Sequence, residues 1–225
     1  MQVADDSEFV AEREAMIEII AAYVYFSSEQ TRRQRLRDRV MAAMERVPRH
    51  RYVPRELRHI AYEDGPLPIG YGKTISQPFM VALMTDLLDI TPQDRVLEVG
   101  TGLGYQAAIL AELAEQVYTI EILEELAHDA HDRLREAGYN RIHFRVGNGA
   151  NGWPEHAPFH KIIVTAAPGL IPPTLLQQLA SGGKMIIPAG LEDDQSLLLV
   201  EKCENGRLST REVIPVRFAP LIVSH

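Results

Sequence analysis

Apolar residues with helical spacing dominate the first part of the chain. Residues 9–27 are apolar on nearly every side and predict a first helix. Residues 30–46 place apolar side chains three and four positions apart, which predicts a second, amphipathic helix that Pro48 stops. A further helix is expected over 78–89, directly after the segment that ends at Pro78. The N-terminal part is therefore predicted to be mostly helical.

Beyond residue 90, short apolar runs alternate with helical patterns. The predicted strands are 94–99, 116–121, 141–146, 160–165, 183–188, 195–202 and 209–217, and the predicted helices among them are 103–114, 123–137 and 172–180. Alternating strands and helices predict an α/β fold with a mainly parallel sheet covered on both faces. The last two strands have no helix between them and are expected to pair antiparallel at one edge. The pattern predicts a Rossmann-like, doubly wound sheet of seven strands with an N-terminal helical extension.

The segment 47–78 is rich in proline, glycine and aromatic residues. We interpret it as ordered irregular chain, because its aromatic and aliphatic side chains need burial. A long loop inside a compact domain is often functional.

Composition narrows the classes of function. The chain has 225 residues with a formal net charge of −8, and 46% of them are hydrophobic. An acidic surface does not attract phosphate backbones, so no nucleic-acid partner is expected. The one basic stretch, 31–37, is interpreted as a solvated helix face.

Compartment and membrane signals are weak. The single cysteine, Cys203, cannot form an internal disulfide, so nothing indicates an oxidising compartment. The longest apolar run, 16–26, is too short to span a bilayer and contains Glu18. The first residues are acidic, unlike the positive leader of a signal peptide. We therefore expect no membrane association and a cytoplasmic location.

A glycine-rich turn follows the first predicted strand after residue 90. The strand ends in Glu98 and Val99 and runs into Gly100-Thr101-Gly102-Leu103-Gly104 before a helix. Glycines let a ligand approach the backbone closely, and the helix presents free N–H groups. Ligands of doubly wound sheets bind at the carboxyl ends of the strands. The turn is therefore a candidate ligand site.

Two neighbouring features specify an adenosine-type ligand. Glu121 ends the next strand, where a carboxylate can accept both hydroxyls of a ribose. The dinucleotide pattern Gly-x-Gly-x-x-Gly is not met, because Tyr105 stands where its third glycine would be. That spacing disfavours NAD and suits a nucleoside without a pyrophosphate. Glu98 beside the turn fits a cationic ligand better than a phosphate.

The dipeptide Asn148-Gly149 follows the third strand of the pattern, where such folds contact the adenine. The Asn148 amide can donate or accept a hydrogen bond. An ordinary turn is the alternative, since Asn-Gly is a common turn pair. The candidate cofactor-binding residues are Glu98, Gly100, Thr101, Gly102, Gly104, Glu121, Asn148 and Gly149.

Other catalytic motifs are not met. A Ser/His/Asp hydrolase of the nucleophile-elbow type needs Gly-x-Ser-x-Gly, which the sequence lacks. The pairs His128/His131 and His156/His160 have helix-like separations without an evident third ligand. They are interpreted as surface histidines, and no metal is expected.

Several segments together resemble the protein-L-isoaspartate O-methyltransferases. They are 47–50 (Val-Pro-Arg-His), 66–78 (Pro-Leu-Pro-Ile-Gly-Tyr-Gly-Lys-Thr-Ile-Ser-Gln-Pro), the turn 98–106, 165–168 (Thr-Ala-Ala-Pro) and the tail 216–221 (Val-Arg-Phe-Ala-Pro-Leu). The resemblance covers roughly residues 35–222. Many methyltransferases share the glycine-rich turn, whereas Ile75-Ser76-Gln77-Pro78 is specific to this family. One departure is Asn148, where the family usually has aspartate.

The resemblance implies the cofactor S-adenosyl-L-methionine and transfer of its methyl group to the free α-carboxylate of isoaspartyl residues in peptides and proteins, as a repair reaction. It implies Ser76 as the residue that orients the substrate carboxylate, although Ser76 is also placed to be the N-cap of the next helix. Thr74, Ile75 and Gln77 are expected to shape the same wall, with Ala219 and Leu221 across the peptide groove. The tail has an alternative role as a terminal strand that packs on the core.

The domain division expected from this resemblance is an extension over 1–46 and a methyltransferase domain over 47–225 that includes the substrate loop 66–78. Two alternatives to the repair function stay open: a methyltransferase with another acceptor, and a cofactor-binding module with weak catalysis, suggested by Asn148. The N-terminal helix, 16–26, carries more apolar surface than a lone helix can expose. It is expected either to pack over the domain or to mediate self-association.

Overall fold

The structure, a computed structural model, describes residues 6–223. The helices are α1 Val10–Phe26, α2 Ser28–Thr31, α3 Asp38–Arg46, α4 Pro78–Leu87, α5 Tyr105–Ala111, α6 Glu124–Glu136 and α7 Pro173–Gln178. The strands are β1 Leu67–Gly70, β2 Lys73–Ile75, β3 Arg95–Val99, β4 Gln116–Glu121, β5 Ile142–Val146, β6 Phe159–Val164, β7 Leu179–Leu191, β8 Asp194–Lys202 and β9 Leu208–Val216.

The main sheet has seven strands in the order β5-β4-β3-β6-β7-β8-β9. Strands β5, β4, β3, β6 and β7 run parallel, and β8 and β9 add an antiparallel edge. The predicted α/β, Rossmann-like fold is confirmed. The strand order reverses beside β3, so the carboxyl ends of β3, β4 and β6 meet at the switch point where such sheets bind ligands.

Helix α1 packs on the domain rather than standing apart. Met16, Ile20 and Val24 are buried and belong to the same hydrophobic cluster as residues of α4 and the sheet. The opposite side of α1 stays open, with Tyr25 70% and Phe26 82% exposed. None of the helices in the described residues is both long and apolar enough to cross a bilayer.

The predicted helix over 30–46 is wrong in its first part. Arg32 adopts left-handed backbone geometry (φ 57°) and ends α2, and helix α3 begins only at Asp38. The chain between them is fixed from outside by Asp86 of α4, which accepts hydrogen bonds from Arg33 Nε (2.7 Å) and from the Arg37 backbone N–H (2.8 Å). The basic stretch 31–37 is therefore not a solvated helix face, because two of its arginines bind carboxylates.

The segment 47–78 is ordered, as expected, and contains a hairpin that the sequence pattern did not reveal. Strands β1 and β2 pair antiparallel around a turn in which Gly70, Tyr71 and Gly72 all have positive φ. Tyr71 (φ 54°) is an unusual residue for this region, which favours glycine. This tight turn reverses the chain and brings β2 and the residues after it to the carboxyl edge of the main sheet.

Candidate active site

A cavity of about 550 Å³ lies at the carboxyl ends of β3, β4 and β6. Its lining comes from the glycine-rich turn and the ends of β4 and β6, from the loop after β5, from the hairpin and the chain after it, and from the end of β9 with the tail that follows. Predicted site residues that line it are Thr74, Ser76, Gln77, Gly100, Gly102, Glu121, Gly149, Ala219 and Leu221. The structure therefore brings the predicted cofactor residues and the predicted substrate residues into one cavity.

The glycine-rich turn requires glycine for two different reasons. Gly100 has φ 99°, and a Cβ at this position would lie closer than 3.0 Å to Thr165 Oγ1. The Thr165 hydroxyl donates to the Gly100 carbonyl (2.8 Å) and ties the turn to the end of β6. Gly104 (φ 92°) is the N-cap of α5 and faces Leu134, so it serves helix packing and does not line the cavity.

Glu121 holds the rim of the turn through its carboxylate. Oε2 accepts from the Gly102 N–H (2.9 Å), and Oε1 accepts from the N–H groups of Ile122 (2.9 Å) and Leu123 (3.1 Å). A carboxylate offers about four acceptor positions, so three are used and one remains, on Oε2. The expectation that Glu121 accepts both ribose hydroxyls stays a prediction, and the structure leaves room for one direct bond.

Glu98 is buried behind the turn and does not line the cavity. Its Oε2 accepts from Thr119 Oγ1 (2.5 Å), and Thr119 Oγ1 also lies 2.6 Å from Thr101 Oγ1. Its Oε1 has no hydrogen-bond partner among residues 6–223. Burial raises the pKa of Glu98 to about 8, the bond from Thr119 opposes this, and the nearby Glu121 carboxylate adds to it. Thr101 therefore contacts Glu98 through Thr119 rather than facing the main cavity.

This buried carboxyl predicts a pH dependence of stability. The pKa of Glu98 is about 8 when folded and close to 4.5 when unfolded, so the folded state binds more protons between these values. Its stabilising contribution is complete below about pH 4.5 and is lost as pH rises through about 8, by up to about 1.4 kcal/mol per pH unit. Glu98→Gln stays neutral, so its free energy of unfolding should fall less than that of the wild type from about pH 5 to about pH 8.

Urea unfolding of both proteins across this pH range measures the difference. Parallel curves for wild type and Glu98→Gln would contradict the assignment.

The loop after β5 lies beside the turn. Gly149 lines the cavity, and a Cβ there would lie closer than 3.0 Å to Val99 Cγ1. Asn148 does not line it, because its Oδ1 accepts from the Ala150 N–H (2.9 Å) and caps a short 3₁₀ turn. An aspartate could accept the same bond, so this local contact does not depend on the amide.

The side of the cavity that contains Ser76 and Gln77 is fixed from outside the cavity by Asp64. Its Oδ2 accepts from Gln77 Nε2 (2.6 Å), and its Oδ1 accepts from the Phe79 N–H (3.3 Å) at the start of α4. Gln77, not Ser76, is the N-cap of α4, so the capping role considered for Ser76 is wrong. Among the described residues, the Ser76 hydroxyl has no hydrogen-bond partner. Ile75 is buried and lines a pocket of about 50 Å³ next to the cavity.

The tail closes the opposite side. The Ala167 N–H donates to the Ala219 carbonyl (2.8 Å), and the Leu221 N–H donates to the Ala167 carbonyl (2.8 Å). This short parallel bridge joins the tail to the segment after β6. Ala219 and Leu221 line the cavity, so the tail is not only a terminal strand that packs on the core.

Among the polar and charged lining residues, three were missed as site candidates. Thr165 follows β6, and the rule that ligands bind at strand ends could have found it. Lys73 and Arg217 line the cavity from the hairpin and the tail, and both lie inside the family segments 66–78 and 216–221, although neither was singled out there as a site residue. They add positive charge to a cavity that otherwise holds the Glu121 carboxylate. No group of three or more potential metal ligands occurs in the part of the chain described.

Comparison with known proteins agrees with this arrangement. The family model described as protein-L-isoaspartate(D-aspartate) O-methyltransferase matches residues 25–225. A protein-L-isoaspartate O-methyltransferase 1 of a Polaromonas species is 58% identical over 216 residues, which are 96% of this chain and 92% of the relative. A protein-L-isoaspartate O-methyltransferase 2 of Syntrophobacter fumaroxidans is 53% identical over 223 residues, covering 99% and 90%. The similarity includes residues before 35, further than the motifs indicated.

Solved structures give the same result. One protein-L-isoaspartate O-methyltransferase superposes with a TM-score of 0.79 at 26% identity, and this chain, 92% of which is covered, spans 65% of that protein. A Plasmodium falciparum structure described as a putative protein-L-isoaspartate O-methyltransferase, in complex with S-adenosyl-L-homocysteine, has a TM-score of 0.73 at 26% identity over 83% of this chain and 91% of its own. Fold, site and sequence similarity agree that the chain belongs to the protein-L-isoaspartate O-methyltransferase family.

Proposed function

We propose that this enzyme transfers the methyl group of S-adenosyl-L-methionine to the free α-carboxylate of L-isoaspartyl residues in damaged proteins and peptides. The observation that carries the proposal is the single cavity, whose lining contains the glycine turn with Glu121 and also Ser76. The family match over 25–225 supports both halves of the site.

The residues present fit the cofactor. Gly100 and Gly102 leave the backbone open to a ligand, Glu121 keeps one acceptor position, and Gly149 lines the same cavity. We propose that these residues hold the nucleoside, while Glu98, Thr101, Gly104 and Asn148 support the turn and the adjoining loop from outside the cavity. When bound, the cofactor supplies an electrophilic methyl group on a sulfonium.

The proposed reaction requires little acid–base catalysis from the protein. An α-carboxylate has a pKa of roughly 3.3–3.7, so the nucleophile is already ionised at neutral pH. The enzyme must align it with the methyl group and exclude water. We propose that the Ser76 hydroxyl donates a hydrogen bond to the substrate carboxylate, that Thr74, Ile75 and Gln77 shape its wall, and that Ala219 and Leu221 close the opposite side. Lys73 and Arg217 favour the approach of an anionic group.

Replacement of Ser76 tests this mechanism. Ser76→Ala removes one donor to the carboxylate, and we expect kcat to fall about 10- to 100-fold, the loss of a charge-assisted hydrogen bond of about 1.5–3 kcal/mol. The dissociation constant of S-adenosylhomocysteine should stay within about twofold, since the hydroxyl binds the other substrate. Ser209→Ala, an exposed serine of β9, is the control. An unchanged kcat would remove Ser76 from the mechanism.

The N-terminal residues have a structural role in this proposal. We propose that residues 47–225 carry the cofactor and substrate sites, with 66–78 as the substrate loop, and that 1–46 form an extension whose described part, 6–46, shares the domain's core. The shared cluster of Met16 and Ile20 with the sheet supports this. Arg33 and Arg37 are engaged by Asp86 and Asp89, which supports the expectation that the basic stretch does not bind nucleic acid.

We also propose that the open side of α1 pairs with a second copy of this chain. Its N-terminal half is acidic (Glu12, Glu14 and Glu18), while exposed Arg32 and Arg35 follow its C-terminal end, so an antiparallel pair would match opposite charges. The exposed rings of Tyr25 and Phe26 would be covered in such a pair. Sedimentation of the wild type should show a dimer, and Phe26→Ser should shift it to the monomer. A monomeric wild type would contradict this proposal.

A further inference from the structure

Two buried glutamines lie outside the cavity and are used neither by the family motifs nor by the mechanism above. Gln178 ends α7 and is 8% exposed, and Gln195 begins the pairing of β8 with β9 and is 6% exposed. In each glutamine the amide oxygen accepts a hydrogen bond from the backbone of one loop, and the amide nitrogen donates one to the backbone of the same loop. A buried amide without partners costs free energy, and a leucine of similar size would fill the space without that cost. A glutamine at these buried positions is therefore explained by the backbone groups that its amide binds.

Gln195 holds the tail. Its Oε1 accepts from the Phe218 N–H (2.7 Å), and its Nε2 donates to the Phe218 carbonyl (3.2 Å). The tail leaves β9 at Val216, directly before this contact, and then forms the cavity wall that includes Ala219 and Leu221. Beyond Phe218 the tail is held by the bridge to Ala167. Gln195 therefore fixes the near end of the tail at a point where the sheet no longer does so.

Gln178 holds the loop on the cofactor side. Its Oε1 accepts from the Trp153 N–H (2.7 Å), and its Nε2 donates to the Asn151 carbonyl (2.9 Å). Between these residues Gly152 has φ 61°, and a Cβ there would lie closer than 3.0 Å to Gln178 Oε1, so the glycine permits the approach. This loop continues from Gly149, which lines the cavity.

We propose that Gln178 and Gln195 are positioning residues with separate tasks: Gln178 sets the loop that contacts the cofactor, and Gln195 sets the wall that contacts the isoaspartyl peptide. Both act through backbone that they hold and neither lines the cavity among the described residues. The inference rests on the proposed function for the identity of the two ligands. The separation of the two tasks does not depend on it.

The test is a crossed comparison in which each glutamine is the matched control of the other. Gln195→Leu should raise the peptide KM about tenfold, the effect of about 1.4 kcal/mol, and leave the dissociation constant of S-adenosylhomocysteine within about twofold. Gln178→Leu should raise that dissociation constant about tenfold and move the peptide KM less. Gln195→Glu and Gln178→Glu place a second carboxylate oxygen where the amide NH₂ donates to a backbone carbonyl, so each should weaken binding of the same ligand as the leucine variant at its position.

Amide hydrogen exchange supplies a readout that does not need activity. Gln195→Leu should speed exchange at Phe218 and spare Trp153, and Gln178→Leu should do the reverse. If a leucine variant is too unstable to purify, the glutamate variant carries the same comparison. Equal effects of both variants on both ligands, or no change in either exchange rate, would overturn the inference. A wild type that binds S-adenosylhomocysteine but does not methylate the peptide would refute the proposed function, while the exchange data would still decide the inference.

Discussion

Gly100→Ala is expected to lower the affinity for S-adenosylhomocysteine at least about 100-fold, the equivalent of about 2.7 kcal/mol. The new methyl group would lie closer than 3.0 Å to Thr165 Oγ1, whose hydroxyl is bonded to the carbonyls of Val99 and Gly100. The backbone also has φ 99°, which an alanine adopts at a cost of about 1–3 kcal/mol. Relief of both strains requires a shift of the turn, and Gly100 and Gly102 of this turn line the cavity.

Gly138→Ala is the matched control. Gly138 follows α6 with φ 88°, and a Cβ there meets nothing within 4 Å. This variant carries the backbone strain without the clash, so it should lose about 1 kcal/mol of stability and keep its affinity. Calorimetric titration and thermal unfolding of both variants separate the two effects. Wild-type affinity in Gly100→Ala would show that the turn does not form the cofactor site.

Asp86→Asn is expected to destabilise the fold by about 3 kcal/mol, at the lower end of the cost of breaking a buried ion pair, because both arginine partners are partly exposed. Asp86 is 1% exposed and accepts from Arg33 Nε and from the Arg37 N–H. An asparagine would turn an NH₂ group toward one of these donors and leave it without an acceptor. The chain between α2 and α3 would then lose its attachment to α4.

The control for this prediction is Asp89→Asn. Asp89 pairs with Arg37 and with Lys184 (2.5 Å), but it is 27% exposed, so its pairs are partly solvated. Its loss should cost about 1 kcal/mol or less. Asparagine also tolerates the left-handed backbone of this residue (φ 53°). Urea unfolding measures both variants, and equal effects would show that burial of Asp86 does not set its contribution.

The sequence predicted the sheet well because each buried strand carries its own pattern. The end of β4 at Glu121 and the antiparallel pair β8–β9 follow from local apolar runs and the missing helix between them. The helix over 30–46 was overestimated because the chain between Arg32 and Asp38 is bound by Asp86, which lies 49 residues from Arg37 along the chain and leaves no local pattern. Strand β7 runs from Leu179 rather than 183, through a glycine pair that weakens the local signal.

The part of the candidate site that lies in recognisable sequence motifs was predictable. Gly100, Glu121 and Ser76 follow from strand ends and from the family segment, and all three line one cavity. Glu98 was placed beside the ligand by its position in the chain, whereas the sheet buries it against Thr119 of the neighbouring strand. Residues that act at a distance in sequence, such as Asp64 and the two glutamines, have no local pattern that sequence analysis could detect.

Transfer of a labelled methyl group to a matched pair of peptides tests the central claim most directly. The two peptides share one sequence and differ only in an isoaspartyl or a normal aspartyl linkage. Because the cavity must align a free α-carboxylate with the methyl group, the account predicts base-labile label on the isoaspartyl peptide and none above background on its partner. Equal labelling of both peptides, or cofactor binding without any transfer, would contradict it.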